Sequence, residues 1–574
     1  MDRLIIPRRL VIDIVRKSLT YIIVSFFTTA FAMPPNTDML DKHIREGKLL
    51  PYYLTHRPAL LDRGIDVPTG RSGPMKSTVS GDFRALAILI RFADKDSSVN
   101  SRRFDTLLFV NRQSTVRNYY AAVSYGQMDL LTVNLPSSIG WRMAPQTYAY
   151  YCNAQNGTGS YPSNSQRLCE DIIDQIDPIV DFSQYDNNGD GSVDAIILIH
   201  TGPGAEFTQN DSDIWSHSWS ITPRSRDGVY ISDYCIQPEY WNTPGDMTCG
   251  VFCHELGHVL GLPDLYDTDY SSRGVGKWSL MASGSWNGPT NLGNYPAEPD
   301  AWCRIQLGFS SAVNVGSNTN GVNIMSVEGG GNIYRLWSGG ALGSEYFLVE
   351  NRQRTGYDAY LPSDGLLVWH IDGTRLSSMT PNDNEWYPGH TSSGNYGIAL
   401  EQADGLYQLE KLANSGDAAD PFPGTGGKIH FSSVSVPSSY SYAGEDTYVA
   451  IENISSSQAT MTADFKVSLT SAITELHNED LAAELRLTQN YPNPFNPTTR
   501  IRLDLPRSGH VTICIYDILG RKINVLLDGT YPAGTIFAKW NGIDFAGNQV
   551  SSGIYFYEAV AGGDRGVGKM TLIR

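Results

Sequence analysis

Two histidines four residues apart, with a glutamate directly after the first, are the residues in this sequence best suited to chemistry. They lie in the stretch HELGHVLGLPD, His254–Asp264. On a helix, His254 and His258 project from one face a turn apart, and two neutral imidazoles in that arrangement can hold one zinc ion. Glu255 can reach a water molecule bound to that metal. The pattern therefore predicts a catalytic zinc site in which Glu255 is the general base.

A glycine after the second histidine indicates where the third ligand comes from. Glycine costs about 1 kcal/mol in a helix relative to alanine, so Gly261 favours a helix that stops there and turns sharply. Such a turn brings Asp264 under the metal as the third protein ligand. One zinc position then stays open for water, as a catalytic site requires.

The histidine motif also fits a chance occurrence or a structural metal. An HExxH sequence can arise by chance on an amphipathic helix, although the added GxxD makes chance a weaker account. A closed structural zinc site is the second alternative, but such sites favour cysteines and four protein ligands. Cys253 directly precedes His254, and because adjacent helix positions point in different directions it is a weak candidate ligand.

An acidic loop ahead of this motif predicts a calcium ion. The sequence DNNGDGSVD, residues 186–194, alternates oxygen-bearing side chains, and Gly191 permits a tight turn. The spacing matches the first nine positions of a calcium loop, with Asp186, Asn188, Asp190 and Asp194 as ligands. Ile197 stands where the loop's strong acid is expected, so a plain Asp/Gly turn is the alternative.

Several residues near the motif are open to two interpretations. Met281, in a turn of small residues, can form an apolar floor below the zinc histidines or simply fill the core. We expect a structural role for His200, whereas His217 fits either a structural role or the lining of a substrate cleft. Acidic residues scattered further along could bind a second calcium ion, pack against the catalytic domain or be solvated: Glu350, Asp358, Asp372, Asp404, Asp417 and Asp420.

The surrounding pattern predicts a mixed α+β domain. FRALAILIRF, residues 83–92, and AIILIHTG, residues 195–202, have the apolar runs of buried strands. Helices are predicted from about Thr115 to Val123 and from Ser165 to Asp177. From about Cys303 onward, short alternating runs predict a β-rich region.

Composition limits the classes of partner. The 574-residue chain is too long for one core, and roughly three or four domains are expected. A net charge of −17 argues against nucleic acid or an anionic membrane as the main partner. Only 18% of residues are charged, and Gly and Tyr are abundant, which is typical of a loop-rich and β-rich protein.

The N-terminus has the pattern of a secretory signal peptide. A basic region precedes an apolar stretch, residues 19–32, that ends in the A-x-A cleavage site Ala30-Phe31-Ala32. The stretch is short for a span of about 20 residues, so a membrane anchor is the weaker alternative. We expect an exported chain without a transmembrane anchor.

Export makes disulfides plausible among the seven cysteines. Cys152–Cys169 is the first candidate pair because the two are close in sequence. Cys514 lies in an alternating strand pattern, TICIYD, and we expect it to be a buried small apolar residue.

Together these features resemble a known family. HExxHxxGxxD followed by a methionine-containing turn is similar to the metzincin zinc proteases, and the finer pattern resembles the immune inhibitor A-like metallopeptidases. The matching stretches, spread over roughly residues 80–430, are Arg117–Leu130, Asp186–Glu206, Ile214–Trp219, His254–Asp267, Trp278–Trp286, Tyr346–Asp372 and Ala399–Gly405.

The resemblance implies peptide-bond hydrolysis in protein or peptide substrates. It implies that His254 and His258 are zinc ligands and that Asp264 is the third ligand. Glu255 takes a proton from zinc-activated water and then delivers it to the leaving amine. Zinc is thus the predicted catalytic ion, and the spacing of residues 186–194 predicts calcium as a structural ion.

Residues 33–79 contain many prolines and mixed charge, which predicts a pro-segment or an extended lead-in. A secreted protease needs to be held inactive, and a segment across its cleft would do this. No cysteine precedes Cys152, so a thiolate cannot be the inhibitory ligand, and a carboxylate such as Asp62 or Asp66 is the candidate. A disordered linker is the alternative.

The C-terminal segment has strand patterns separated by Pro/Gly turns, as in a β-sandwich. Its pieces NYPNPFNP, YDILGRKI, WNGIDFAGNQV and a terminal KMTLIR resemble the sorting domain of type IX secretion substrates. That domain has an immunoglobulin-like fold related to flagellar-hook capping proteins. The resemblance implies a bacterium with two membranes and a final location outside the cell or on its surface. An ordinary adhesive β-sandwich is the alternative.

The sequence thus predicts a multidomain α+β protein. Its predicted parts are a signal peptide (1–32), a pro-segment or lead-in (33–79), a metzincin-like catalytic domain (80–303), a β-rich domain packed on the protease (304–466), a linker (467–484) and an immunoglobulin-like sorting domain (485–574). The predicted function is that of a secreted zinc endopeptidase. The alternative is a surface-displayed binding or adhesion protein whose HExxH domain is inactive, although the intact Glu255 argues against it.

Overall fold

The computed structural model describes residues 33–61, 63, 80–376, 381–387, 394–468, 485–490, 492–531, 534–545 and 547–573. The predicted signal peptide lies outside these residues, as does nearly all of the predicted linker. The chain divides into two compact units: one holds the residues up to Asp383 with Tyr396–Val467, and the other holds Asn384–Asn395 with Ser468–Arg574. In the described part of the chain, no helix is both long and apolar enough to span a membrane.

A mixed five-stranded sheet lies at the centre of the first unit. In spatial order its strands are β4 (Arg142–Met143), β2 (Leu86–Arg91), β5 (Ile196–Pro203), β7 (Val229–Tyr240) and β6 (His217–Arg226). Neighbouring strands are parallel except for the β7–β6 pair. A separate parallel pair joins β1 (Gly81–Arg84) to β3 (Met128–Leu131). The two predicted apolar strands are therefore present, the first of them split into β1 and β2.

The position of β2 inside the sheet explains why its sequence is apolar throughout. Leu86, Ile88 and Ile90 belong to one buried core, whereas Ala87 and Leu89 belong to another. Since a parallel strand inside such a sheet is covered on both faces, it has no solvated side on which polar residues would alternate.

The α-helices that the structure describes all lie in this unit, and several contribute side chains to these two cores. Their bounds are α1 (Thr37–Arg45), α2 (Tyr52–Thr55), α3 (Arg57–Leu61), α4 (Arg102–Phe109), α5 (Val116–Val123), α6 (Pro136–Ile139), α7 (Tyr148–Cys152), α8 (Ser165–Ile176), α9 (Ala205–Thr208), α10 (Gly250–Val259), α11 (Ala301–Gln306) and α12 (Gly373–Leu376). The two predicted helices are α5 and α8. Each is one residue shorter than predicted because Thr115 is the N-cap of α5 and Asp177 the C-cap of α8.

Two further sheets lie C-terminal to α10 in the same unit. One has the order β13 (Ile398–Leu400), β12 (Gly365–Asp372), β11 (Glu345–Arg352), β10 (Ile333–Leu336), β8 (Ala312–Asn314), and the other β14 (Ala450–Glu452), β15 (Thr460–Lys466), β9 (Thr319–Met325). Leu348 of β11 and Trp369 of β12 share a buried core with Phe252 and Leu256 of α10. The β-rich region is therefore packed against the part of the chain that carries the histidine motif.

The second unit contains two antiparallel sheets. One is β16 (Arg486–Leu487), β17 (Thr499–Leu505) and β20 (Gly534–Trp540), and the other is β19 (Lys522–Tyr531), β18 (Gly509–Tyr516), β21 (Gly553–Ala561) and β22 (Asp564–Leu572). Leu503 of β17, Ile513 of β18 and Tyr557 of β21 meet in one apolar core. This region is β-rich as predicted, while its immunoglobulin-like topology stays a prediction.

The expectation of a Cys152–Cys169 disulfide is wrong. All seven cysteines are free and buried. The Cys152 Sγ donates to the Asp211 carbonyl at 3.3 Å, and Cys169 lies on the buried side of α8. Burial raises the pKa of the Cys152 thiol to about 12, so it stays protonated. These thiols act as small apolar core residues, as we predicted for Cys514.

Candidate metal centre

Helix α10 carries both histidines and is buried along most of its length. Val251, Phe252 and Leu256 pack into the core beneath the central sheet. The helix ends at Val259, and Gly261 follows with a φ of +93°, a conformation that favours glycine. The Leu262 N–H donates back to the Gly257 carbonyl at 3.0 Å. The predicted stop and sharp turn at Gly261 are therefore present.

This turn brings Asp264 back under the two histidines. The Nε2 atoms of His254 and His258 are 3.0 Å apart. Asp264 Oδ1 lies 3.2 Å from the first Nε2 and 3.4 Å from the second. All three side chains are buried. Two imidazole nitrogens and one carboxylate oxygen thus converge on a single point.

The remaining ring nitrogens set the orientation of the imidazoles. His254 Nδ1 lies 2.9 Å from the Leu280 carbonyl, and His258 Nδ1 lies 2.9 Å from the Leu262 carbonyl. A carbonyl only accepts, so each Nδ1 donates, and the lone pair of each neutral ring is on Nε2. Burial lowers the pKa of His258, which keeps the ring neutral.

The electrostatics of Asp264 fit an anionic ligand. Burial alone would raise its pKa, but the two neighbouring histidines hold it at about 2. Asp264 is therefore a carboxylate at neutral pH. Two neutral imidazoles and one carboxylate form a donor set that suits zinc and leaves the metal open on one side.

Met281 lies directly against α10. Its sulfur would be 2.7 Å from a Cβ placed on Gly257, and its carbonyl accepts the Leu265 N–H at 2.8 Å. The residue before it, Leu280, supplies the carbonyl that orients His254. Met281 is fully buried. The methionine turn therefore packs under α10, while its role as a floor for the histidine pair stays a prediction.

We expect Gly257→Ala to destabilise the protein. On helix propensity alone this change would stabilise α10 by about 1 kcal/mol. The new methyl group would meet the buried Met281 sulfur, and overpacking of a tight core typically costs about 1–3 kcal/mol. Thermal melting and zinc affinity should both fall. A melting temperature above that of the parent chain would show that the methionine does not press against the helix.

The N-terminal segment reaches Glu255. The Met33 N–H donates to Glu255 Oε1 at 2.9 Å, in a buried environment. The indole N–H of Trp215 donates to the Met33 carbonyl at 3.1 Å, and that of Trp286 donates to the Pro34 carbonyl at 3.0 Å. The start of the described chain therefore lies against Glu255, and side chains hold it through its own backbone groups.

The rest of this segment, residues 33–61, lies along the same unit. Tyr53 stacks on Trp215 with ring centroids 4.6 Å apart and planes 10° from parallel. The Arg57 guanidinium is 3.9 Å from Asp264 Oδ2, and Asp41 pairs with Arg273 at 2.9 Å. We named Asp62 and Asp66 as candidate inhibitory residues, and both lie outside the described residues. Sequence reasoning missed Met33 because its contact is made by a backbone N–H, which no residue type marks.

His200 and His217 are buried and hydrogen-bonded away from this centre. His200 Nδ1 lies 3.0 Å from the Thr201 carbonyl. His217 lies 2.7 Å from both the Trp215 carbonyl and the Ser165 hydroxyl. Burial lowers the pKa of His200 to about 3 and that of His217 to about 4, so both are neutral. The arrangement agrees with a structural role for each.

The acidic loop at residues 186–194 is closed by hydrogen bonds to its own backbone. Asp186 accepts from the N–H groups of Gly189 and Gly191 at 2.8 and 2.9 Å. Asn188 accepts from Asp190 N–H at 2.8 Å, and Asp194 accepts from Asn187 N–H at 2.6 Å. These contacts fit a calcium loop or a plain Asx turn, so the calcium ligands Asp186, Asn188, Asp190 and Asp194 stay a prediction.

Comparison with known proteins identifies two parts of the chain. Residues 104–310 match the catalytic domain of immune inhibitor A peptidase M6, and residues 489–572 match a secretion system C-terminal sorting domain. Immune inhibitor A of Bacillus thuringiensis subsp. alesti is 39% identical over 282 residues, covering 39% of this chain and 39% of that protein. The pre-pro-metalloprotease PrtV of Vibrio cholerae serotype O1 is 30% identical over 223 residues, covering 33% of this chain and 23% of PrtV.

One solved structure is also similar to part of this chain. FlgD from P. aeruginosa is 31% identical over a match that covers 13% of this chain and 59% of the FlgD chain, with a TM-score of 0.11. The chain spans about a quarter to two-fifths of the length of the relatives named above. A sorting domain directs export, so the chain is secreted or held at the cell surface. The chain is thus similar to the catalytic domain of immune inhibitor A peptidase M6 over residues 104–310, and to a secretion system C-terminal sorting domain over residues 489–572.

Proposed function

We propose that this chain is a secreted zinc endopeptidase that hydrolyses peptide bonds in extracellular proteins. One observation carries the proposal: His254 Nε2, His258 Nε2 and Asp264 Oδ1 converge at separations of 3.0, 3.2 and 3.4 Å. Glu255 follows the first histidine on the same helix and is fully buried. The match of residues 104–310 to the M6 catalytic domain supports the proposal.

The donor set favours zinc over the other common cations. Two imidazoles and one carboxylate suit zinc, whereas calcium and magnesium prefer oxygen ligands alone. When bound, zinc lowers the pKa of a water molecule toward neutrality and polarises the carbonyl of the scissile bond.

The role proposed for Glu255 follows from its position. Its carboxylate accepts the proton of the attacking water, and the resulting carboxylic acid then donates that proton to the leaving amine. The Nδ1 atoms of His254 and His258 donate to carbonyls, so each Nε2 faces the metal position as a ligand and neither ring is needed for proton transfer. Oε1 already accepts a hydrogen bond from an N–H, the kind of donor that a substrate backbone also offers.

We also propose a metzincin-like arrangement for the catalytic part. The support is the third ligand three residues after Gly261 and the methionine turn packed under α10. Export through type IX secretion machinery is the corresponding proposal for the second unit, and its support is the sorting-domain match.

We further propose that residues 33–61 hold the enzyme latent. The Met33 N–H is hydrogen-bonded to the Glu255 carboxylate, and the Arg57 guanidinium lies beside the Asp264 carboxylate. A peptide substrate cannot reach the carboxylate while this segment is in place. Proteolytic activity therefore requires that the segment be displaced or removed.

Metal removal tests the central proposal. We expect 1,10-phenanthroline to abolish casein cleavage by the processed chain, and added zinc to restore it, because the ligands are preserved in the folded protein. The non-chelating isomer 1,7-phenanthroline is the matched control and should leave the initial rate unchanged. Cleavage that survives full depletion of zinc, verified by metal analysis, would contradict a zinc mechanism. Zinc-loaded chain that cleaves no unstructured protein would favour the binding-protein alternative.

A further inference from the structure

Three aspartates bring their carboxylate oxygens together on a loop after β13. Asp404, Asp417 and Asp420 each place one oxygen within 4.8 Å of the other two. Asp404 and Asp417 are partly exposed, whereas Asp420 is fully buried. Carboxylates this close repel one another unless protons or a cation lie between them. An acidic cluster alone does not establish a site, so the contacts of the buried member matter.

Asp420 has one oxygen that is satisfied and one that is not. Its Oδ2 accepts from the Trp278 indole N–H at 3.1 Å and from the Asp417 N–H at 2.9 Å. Its Oδ1 is buried and has no hydrogen-bond partner within the part of the chain that the structure describes. A buried carboxylate oxygen without a partner is costly, and in native proteins it commonly marks an ion or ordered water.

The charge of Asp420 is also poorly offset by the protein. Burial, together with the charges of Asp417 and Asp404, raises its pKa to about 7. The contacts that oppose this rise are hydrogen bonds from neutral groups, the Asp417 N–H and the Trp278 indole. A cation placed among the three oxygens would remove this penalty.

The loop holds the other two carboxylates in fixed positions. Asp404 Oδ1 accepts from the Leu406 N–H at 2.9 Å. Asp417 Oδ1 accepts from the Ala419 N–H at 2.7 Å, and its Oδ2 accepts from the Asn414 amide at 2.7 Å. Each of these oxygens retains acceptor capacity, because a carboxylate oxygen has two lone pairs. The site is therefore pre-organised by neutral donors.

We propose that Asp404, Asp417 and Asp420 bind a calcium ion. The donors are all oxygen atoms, as calcium prefers, whereas zinc sites usually include nitrogen or sulfur ligands. Calcium takes ligands at about 2.3–2.6 Å in flexible geometry, so two ligands of one ion lie at most about 4.6–5.2 Å apart. These oxygens, which lie within 4.8 Å of one another, are close enough to share one ion. Magnesium demands shorter distances and stricter geometry. This site is separate from the acidic loop at residues 186–194.

The calcium ion would fasten this loop to the stretch that carries the methionine turn. The Lys277 N–H donates to the Ser415 carbonyl at 2.8 Å, and the Arg273 N–H donates to the Leu409 carbonyl at 3.0 Å. Trp278, which binds Asp420, lies two residues before Leu280, whose carbonyl orients His254. The ion thus stabilises the floor of the metal centre from outside, without contributing a ligand to it.

Trp278 provides a direct test with terbium, a luminescent substitute for calcium. The full chain carrying Glu255→Gln, which prevents self-cleavage, is titrated with terbium under excitation that tryptophan absorbs and tyrosine does not. We expect strong sensitised emission that calcium displaces. Asp404→Asn and Asp417→Asn should each weaken terbium binding on the order of tenfold, because each removes one ligand charge. Glu445→Gln, an exposed acid outside the cluster, should bind as the parent does.

The melting temperature gives a second measure of calcium binding that does not depend on terbium emission. Saturating calcium should raise the melting temperature of the parent and of Glu445→Gln by about 3 °C or more, and clearly less in Asp404→Asn. Trp278→Phe should lose the sensitised emission and keep a calcium-dependent rise in melting temperature. Emission that is unchanged in Asp404→Asn and Asp417→Asn, or that persists in Trp278→Phe, would overturn the site. These outcomes are independent of proteolysis, because neither readout requires activity.

Discussion

Replacing Glu255 with glutamine is expected to reduce proteolysis by about four orders of magnitude, or about 5.4 kcal/mol of transition-state stabilisation. The amide cannot accept the proton of the attacking water, yet it has the size of the carboxylate and leaves the zinc ligands in place. The measurement is the initial rate of casein cleavage by chain from which residues 33–61 have been released. Zinc content is measured on the same samples.

Asp264→Ala is the informative comparison for this variant. It removes a ligand atom that lies 3.2 and 3.4 Å from the two imidazole nitrogens, so zinc and activity should be lost together. Glu255→Gln should lose activity alone. If the glutamine variant kept more than about a tenth of the parent rate, the acid–base role of Glu255 would be wrong. If it lost zinc as Asp264→Ala does, its inactivity would say nothing about proton transfer.

Tyr53→Ala is expected to raise the basal activity of the unprocessed chain by roughly a hundredfold. Tyr53 is fully buried and stacks on Trp215, whose indole also holds the Met33 carbonyl. Truncating a buried aromatic side chain costs about 3–5 kcal/mol, and a loss of about 3 kcal/mol from the docked segment shifts its equilibrium about a hundredfold. The readout is cleavage of a quenched fluorescent peptide before any processing occurs.

Leu49→Ala is the matched control on the same segment. Leu49 is 93% exposed, so its truncation should leave the segment docked and the basal rate unchanged. The double variant Tyr53→Ala/Glu255→Gln should be inactive, which separates true activity from a contaminating protease. The latency proposal would be refuted if the Tyr53→Ala chain folds and binds zinc but cleaves the peptide no faster than the unprocessed parent.

Several features of the site are local in sequence, and for that reason they could be predicted. The pair His254 and His258 shares a helix face because helical geometry sets residues four apart one turn from each other. Gly261 ends that helix in a left-handed conformation that glycine adopts without strain. Asp264 follows within the same turn. The buried strand β2 could be predicted for a similar reason, since coverage on both faces requires an unbroken apolar run.

The Cys152–Cys169 prediction failed because it relied on cellular compartment and proximity in sequence. Export permits a disulfide, but it does not bring two sulfur atoms together. Cys152 ends α7 with its thiol on the Asp211 carbonyl, while Cys169 is turned into the core by the apolar face of α8. The packing of α7 and α8 decides where the two sulfur atoms lie, and no local sequence pattern predicts it.

The sequence by itself predicted which atoms would hold the metal and which carboxylate would move the proton, because those requirements act over a few neighbouring residues. Only the tertiary structure decided what surrounds them. It placed the Met33 N–H on Glu255, 222 residues away, and the Met281 sulfur on Gly257. It also gathered Asp404, Asp417 and Asp420 beside Trp278. Such contacts join distant segments and often use backbone groups, which every residue carries, so they cannot be predicted from residue type.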